Sequence, residues 1–351
     1  MIRLSICIAT FKRADYIGET LASIVPQLTD QTEILILDGA SPDNTAEVVG
    51  RFAAEYPQVR YVRAETNSGI DADFDRAVGL ASGEHCWLFS DDDVLAPDAV
   101  ATVLAELADG DPDVLIVDAE VRDVHLDHVF EPARLKTAGR RDYLPADRDA
   151  FMADAGDTLS FIGCVIIRRS AWLARDRASY YGTLFVHVGV IFQQPPLPLA
   201  RVLAKPLVRI RMGNAMWSGR AFDIWMFKWP ELIWGFAGYS DAAKAKVVAR
   251  EPWRGLRDVL TYRAYGSFTG REYRARQTEF RSGRKRLPLR LILALPGGLA
   301  HLLVVAKSAL SRNRNSSVVY NLLIASRHSN PISRGIGRLI GYSLPARGPR
   351  T

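Results

Sequence analysis

The stretch His85-Cys86-Trp87-Leu88-Phe89-Ser90-Asp91-Asp92-Asp93-Val94-Leu95 decides how the rest of the chain is read. Its first half is short, mostly apolar and rich in aromatics, which suits a strand covered on both faces. Polarity then inverts within one residue into three adjacent carboxylates. Like charges side by side repel each other and are costly to desolvate unless something positive sits among them. Carboxylate oxygens are the ligands of hard cations such as Mg²⁺ and Mn²⁺. In an open α/β sheet, ligands bind at the carboxyl ends of the strands, where such a cation could hold a diphosphate. The plainer alternative is a solvated acidic turn ahead of a helix that Pro97 and Asp98 open.

Moving outward, residues 3–9 read as a first strand and 15–28 as a helix through Ile17, Leu21, Ile24, Val25 and Leu28. Glu33 to Leu37 is a second strand. It ends in the turn Asp38-Gly39-Ala40-Ser41-Pro42-Asp43-Asn44-Thr45, with a helix capped at Ser41 or Asp43 running to about Tyr56. Val59 to Val62 is a third strand, and Asn67-Ser68-Gly69 opens a helix carrying Asp71, Asp73 and Asp75. After the acidic run comes a helix over 97–108, then a strand from Asp113 to Asp118. Strand and helix alternate with short connections, which predicts an α/β fold with a doubly wound, mostly parallel sheet. Polar residues recur where strands end (Thr10 and Arg13, Asp38, Asn67, Asp91 to Asp93), and in this topology those ends share one edge.

The segments LSICIATFKR, EILILDGASPDNT, NSGID and ASGEHCWLFSDDDVL, in that order and spacing, resemble the nucleotide-binding half of GT-A glycosyltransferases. The match is to glycosyltransferase family 2, and within it to the branch resembling abequosyltransferases. It covers residues 3–118 well and 155–220 more thinly. The resemblance implies a GT-A fold with helices on both faces of the sheet. It places Thr10, Phe11 and Arg13 around the nucleobase and ribose, and Asp38 as the acid that hydrogen-bonds the base. Asn67, Gly69 and Asp71 would help close the nucleotide pocket. Asp91 and Asp93 match the metal-binding Asp-x-Asp element, with Asp93 as direct ligand to Mg²⁺ or Mn²⁺ and Asp92 on the donor side. Where the family has Asp and then Gly after the base-binding acid, this chain has Gly39 and Ala40, which leaves the base open.

In family 2 the catalytic carboxylate follows the metal-binding aspartates by about 90 residues, yet no acid occurs between Arg177 and Arg220. His187 is there instead, suited by its titration range to act as a general base and by its imidazole to ligate metal. A packed core histidine is the competing reading. Asp157, just before an expected buried strand Leu159–Ile167, is the rival base, with a helix-terminal or turn carboxylate as its alternative. Arg211 resembles a phosphate-pairing arginine of the branch, while Asn214 and Trp217 would lie on the acceptor side; a surface cation and a core aromatic are the alternatives. Residues 1–220 thus form the expected catalytic domain (1–118 for the donor, 119–220 for the acceptor), and 221–351 a helical extension.

That extension differs in charge. The chain carries a net +6, but residues 271–351 hold 16 Lys and Arg against two acids, and the first 270 residues have a net charge of −8. A basic end on an acidic body predicts an anionic partner. Arg281-Ser282-Gly283-Arg284-Lys285-Arg286 precedes an apolar block at 287–310, which Pro288, Arg290 and Pro296-Gly297-Gly298 interrupt. A spanning helix needs about 20 apolar residues with few charges. A surface-lying helix pair on an anionic membrane through 281–310 is therefore expected, at the cytoplasmic face of the plasma membrane, with an ordinary helical hairpin packed on the domain as the alternative. The four tryptophans between 225 and 253 read as core, with an interfacial role open, and 312–351 as an Arg-, Ser- and Gly-rich stretch with one amphipathic candidate at 317–325 and a loose end. The apolar block also weighs against nucleic acid as the partner. Cys7, Cys86 and Cys164 lie far apart in apolar runs, without metal spacing or a disulfide framework. The apolar N-terminus reads as strand rather than signal peptide.

The expected activity is metal-dependent, inverting transfer of a sugar from a nucleotide-diphosphate sugar to a hydroxyl of a glycan or lipid-linked glycan, in surface polysaccharide assembly. A sugar nucleotidyltransferase would need a Gly-rich phosphate loop after the first strand, and Ala9 to Asp15 has no glycine. A catalytically inactive membrane-bound scaffold stays open because of the absent acidic pair. Oligomeric state is not legible.

Overall fold

The computed structural model describes residues 1–281, 286–310 and 316–345. The side chains of the basic cluster Arg281 to Arg286 lie outside the described residues, as do 312–315 and 346–351 of the expected loose end. The strands are β1 Leu4–Thr10, β2 Thr32–Asp38, β3 Val59–Arg63, β4 His85–Phe89, β5 Val94–Leu95, β6 Val114–Arg122, β7 Val129–Glu131, β8 Arg140–Tyr143, β9 Val165–Arg168 and β10 Ala200–Arg211. Two compact units interleave along the chain. One comprises Met1–Val121, Pro132–Ile210 and Gly235–Val247; the other comprises Arg122–Glu131, Arg211–Trp234 and Val248–Thr351.

The first unit is built on a mixed sheet in the order β3-β2-β1-β4-β9-β6-β10-β5, with β8 beside β10. The first four strands are parallel, Thr10 facing Asp38 and Ile8 facing Phe89 in register. Every side chain of β1, β2 and β4 is buried, as expected for strands covered on both faces. The sheet is therefore α/β and parallel where the donor-half pattern predicted it. Beyond β4 it turns antiparallel, β9 running against both β4 and β6. Helix Ile70–Leu80 packs on β1 and β2, and helix Ile17–Ile24 against helix Thr45–Glu55.

One expected element differs. The apolar run Leu159–Ile167 is a strand only from Val165; before it lie two tight turns, Thr158–Ser160 and Ile162–Cys164. The reason is local. A Cβ at Gly163 would sit 2.5 Å from the Phe161 ring, and the Gly163 carbonyl accepts from Trp87 Nε1 at 2.8 Å, so the chain is held in a bend no pleated strand permits.

In the second unit Phe222, Phe227, Trp253, Phe268, Phe280 and Leu289 form one buried cluster. A second joins Val305, Val319, Tyr320, Leu323 and Tyr342. Trp229 and Trp253 are buried, which settles them as core.

Candidate active site at the carboxyl edge of the parallel strands

The register of β1, β2 and β4 brings three loops to one edge. The loops after β1 and β2 are stitched together by side chains. Lys12 N donates to Ser41 Oγ at 3.0 Å and Arg13 N to Thr45 Oγ1 at 3.1 Å. Asp38 is buried beneath them. Its Oδ1 accepts from Ser41 N at 2.8 Å and its Oδ2 from Tyr61 Oη at 2.6 Å, so both oxygens shape the turn. Gly39 is required there: a Cβ would lie 2.9 Å from Asp73 Oδ2 and 3.6 Å from Asn67 Cγ and Thr10 O. Ala40 takes a left-handed φ of 62°, a conformation glycine adopts more cheaply.

Ser90 to Asp93 connect β4 to β5, which pairs with β10 through Val94 with Arg209. Arg13 reaches across from the first loop. Its Nε lies 3.2 Å from Asp91 Oδ1 and its Nη2 3.0 Å from Asp92 Oδ2, all three side chains nearly buried. Burial works against the guanidinium charge, yet Asp92 and Asp91 hold its pKa above the usual value. For Asp91, burial and then the Asp92 charge push the carboxyl up to about 7, against the pull of Arg13, the Thr10 hydroxyl and the Phe11 amide. Asp93 is buried and accepts from Ser90 Oγ.

Because β9 runs antiparallel to β4, the turns at 158–164 lie at this same edge, and the buried Cys164 thiol, raised mainly by desolvation, also feels Asp93. Asp118, midway along β6, is buried and fastens the loop at Arg134 and Leu135 through their amides at 2.8 and 2.9 Å. Arg134 Nη2 in turn donates to Ser160 Oγ at 3.1 Å. Asp157 precedes these turns with a half-exposed carboxylate 3.6 Å from Lys136 Nζ.

Other expected positions are held by contacts of their own. His187 is buried in helix Val186–Phe192, its Nε2 2.8 Å from Leu159 O, and burial pushes its pKa down to about 4. It sits as a packed histidine, poorly placed for base or metal duty. Nor does any group of three or more His, Cys, Asp or Glu side chains stand ready to hold a metal among the described residues, so the trio Asp91, Asp93 and His187 is not assembled. Asp71 is buried. It clamps loop 182–186, accepting from Gly182, Leu184 and Val186 amides at 2.8, 2.9 and 3.1 Å. Asn67 is exposed and its Oδ1 holds the Gly69 amide at 2.8 Å, with Gly69 in a left-handed φ of 89°. Arg211, Asn214 and Trp217 belong to the second unit; Arg211 Nη1 donates to Val124 O at 2.6 Å and Trp217 meets Trp225 edge-on.

Asp73 is the residue the site gains. It is buried against Gly39 and Ser68, with its carboxyl pKa raised by desolvation. The signal was in the helix period: Asp71 and Asp75 lie four residues apart on one face, and Asp73 on another. Asp75 indeed turns the same way as Asp71, accepting from Trp172 Nε1 and pairing with Arg177, both at 2.8 Å.

A divalent cation fits this donor set in one particular way. The oxygens are hard, and a buried carboxyl driven toward neutrality by burial and a like charge gains from a nearby cation. Mg²⁺-type ions are commonly held by one or two carboxylates together with substrate phosphates rather than by an all-protein cage. Asp91 and Asp93 are the two carboxylates that would serve in that arrangement.

Comparison with known proteins agrees with this architecture. The family described as Glycosyl transferase family 2 matches residues 5–173. The chain is 32% identical over 224 residues to Abequosyltransferase RfbV of Salmonella typhimurium, covering 60% of this chain and 67% of that protein. A weaker likeness, 24% over 113 residues, is to Glycosyltransferase GlyG of Streptococcus pneumoniae, covering 32% of this chain and 38% of that protein. Among solved structures, S. aureus TarS 1–349 superposes with a TM-score of 0.57 at 15% identity, covering 92% of this chain and 90% of that one. The same fragment in complex with UDP-GlcNAc gives 0.53 at 16% identity, covering 97% and 89%. At such identities the likeness concerns the fold.

Proposed function

This chain belongs to glycosyltransferase family 2, and from that membership we propose that it moves a sugar from a nucleotide-diphosphate donor to a hydroxyl of a glycan or lipid-linked glycan acceptor. The transfer is metal-dependent and inverting, and it serves surface polysaccharide assembly. The observation that carries this reading is the convergence of Arg13, Asp91, Asp92 and Asp93 at the carboxyl edge of β1 and β4. An edge so rich in carboxylates repels a diphosphate unless a cation accompanies it. Support also comes from relatives: RfbV is named an abequosyltransferase, and TarS has been solved with UDP-GlcNAc.

Asp91 and Asp93 would hold Mg²⁺ or Mn²⁺, which as a Lewis acid stabilises charge building on the departing diphosphate. Arg13 draws the Asp91 carboxyl back toward the charged form, against burial and the Asp92 charge, and holds the turn in place. The sealed turn Asp38–Ser41, with Asn67 and Asp73 beside it, shapes the side of the site that receives the nucleoside. A base for the acceptor hydroxyl must be reachable from solvent. Asp157 meets that condition and the enclosed His187 does not. The Asp157 carboxylate takes the hydroxyl proton as the acceptor oxygen bonds to the anomeric carbon. The bond from that carbon to the diphosphate oxygen breaks on the opposite face.

A thermal-shift panel of UDP, GDP, CDP and dTDP, each with Mn²⁺ and with EDTA, tests the donor site on wild type and Asp93→Ala. A ligand that binds only the native state raises the melting point. Stabilisation by one nucleotide, dependent on metal and lost in Asp93→Ala, is expected. No shift with any nucleotide in folded protein would move the reading to a scaffold, as would absence of donor hydrolysis.

A further inference from the structure

We propose that the solvent-facing leucines of helices Arg286–Ala294 and Gly297–Ala309 seat this chain on the surface of an anionic phospholipid bilayer. On the first helix Leu287 and Leu291 are 66% and 64% exposed; on the second, Leu299 and Leu303 are 47% and 51% exposed. Each pair is spaced four residues apart, so each forms a stripe along one helical face. The opposite faces are well packed: Leu289 lies in the cluster of Phe280 and Trp253, and Ala300, His301 and Val305 are buried. The exposed leucines are thus a built surface on firmly docked helices.

Charge selects the occupant. From residue 280 to 351 the sequence holds 13 Lys and Arg and no Asp or Glu. Arg290 and Lys307 are exposed on the two helices that bear the leucines. Apolar side chains beside cations match the boundary between acyl chains and anionic headgroups, where both contributions add. Nucleic acid would satisfy the cations and leave the leucines in water. A second copy would bring two acid-free basic ends together against their repulsion. The geometry favours lying on the bilayer. Among the described residues no single helix is long and apolar enough to cross one, and the pair Leu287–Ala294 and Gly297–Ala309 bends by 98° at its break.

The test is cosedimentation of the full chain with vesicles of phosphatidylcholine alone, or with phosphatidylglycerol added, at low and high salt. Leu287→Ser/Leu291→Ser and Leu299→Ser/Leu303→Ser are compared with wild type, and melting curves verify the fold. Wild type should bind the anionic vesicles, more weakly at high salt, and each double variant should bind about tenfold less tightly or worse. The nucleotide-induced melting shift should be unchanged, which separates this inference from the transfer reading. It is overturned by equal binding to both vesicle types, by variants that bind like wild type, or by duplex DNA outcompeting the vesicles. A concentration-dependent dimer lost in the same variants would also overturn it.

Discussion

Replacing Arg13 with alanine in EDTA tests whether the acidic edge is held by that guanidinium. Arg13 is nearly buried and lies 3.2 Å from Asp91 and 3.0 Å from Asp92. Removing one partner of a buried pair costs about 3–5 kcal/mol, because the abandoned charge stays desolvated. Loss of its place 5.7 Å from the Tyr16 ring adds about 0.5–1 kcal/mol. Asp91 limits the damage. Already pushed up to about 7 by burial and Asp92, it takes a proton once the cation is gone. The expected loss is therefore about 3 kcal/mol at pH 8 and roughly 1–2 kcal/mol at pH 5.5. The sign follows from linkage. A carboxyl raised above its unfolded value contributes stability that is complete below the unfolded pKa and is lost as pH rises through the folded one. Without Arg13 that loss deepens toward alkaline pH. Urea denaturation at pH 5.5, 7 and 8 on wild type, Arg13→Ala and Arg13→Ala/Asp91→Asn reads it directly, the double variant losing the extra pH dependence. An equal loss at all three values, or a loss under about 0.5 kcal/mol, would refute the placement of Arg13 as the buried counter-charge.

Other outcomes follow from single contacts. Gly39→Ala forces a methyl against Asp73 Oδ2 and should cost about 1–3 kcal/mol while abolishing the nucleotide-induced melting shift; a full-sized shift in the variant would count against this turn as the nucleoside side. Asp71→Ala frees three amides of loop 182–186 and should lower urea stability by about 3 kcal/mol, with faster amide exchange at Gly182, Leu184 and Val186. His187→Leu should keep the metal-dependent nucleotide shift. It should also remove a destabilisation that wild type suffers as pH falls from about 6.5 toward 4, worth roughly 3 kcal/mol, since a buried base with a lowered pKa gives up its stability on acidification.

The parallel half was legible because β1, β2 and β4 are short, mostly apolar runs that end in polar residues, and periodicity registers both. Strand ends that must converge followed from topology, which is how Arg13 and Asp91 to Asp93 could be read together. Contacts across the fold were not legible. Nothing local to Asp71 announces that its carboxylate will cap amides more than 110 residues away, and the family pattern pointed it at the nucleotide instead. His187 lies in a segment buried throughout its helix, where an apolar run looks the same whether its histidine lines a site or packs beneath one.

The element misread most is also the one that bears on the carboxylates. Leu159 to Ile167 carries the composition of one buried strand, and as a parallel strand it would have ended its polar neighbours at the catalytic edge. Running antiparallel, β9 places its preceding turns there instead, with Gly163 locked to Trp87 and Cys164 close enough to feel Asp93. The loop after β1 closes the other side through Arg13. Asp91 is buried at this edge beside the loop after β1, and burial is the largest influence on its pKa. Such a carboxyl remains charged near neutrality only while positive charge is close. That need ties the fold to the chemistry: the edge that buries the acidic turn also makes it a place where added positive charge is stabilised.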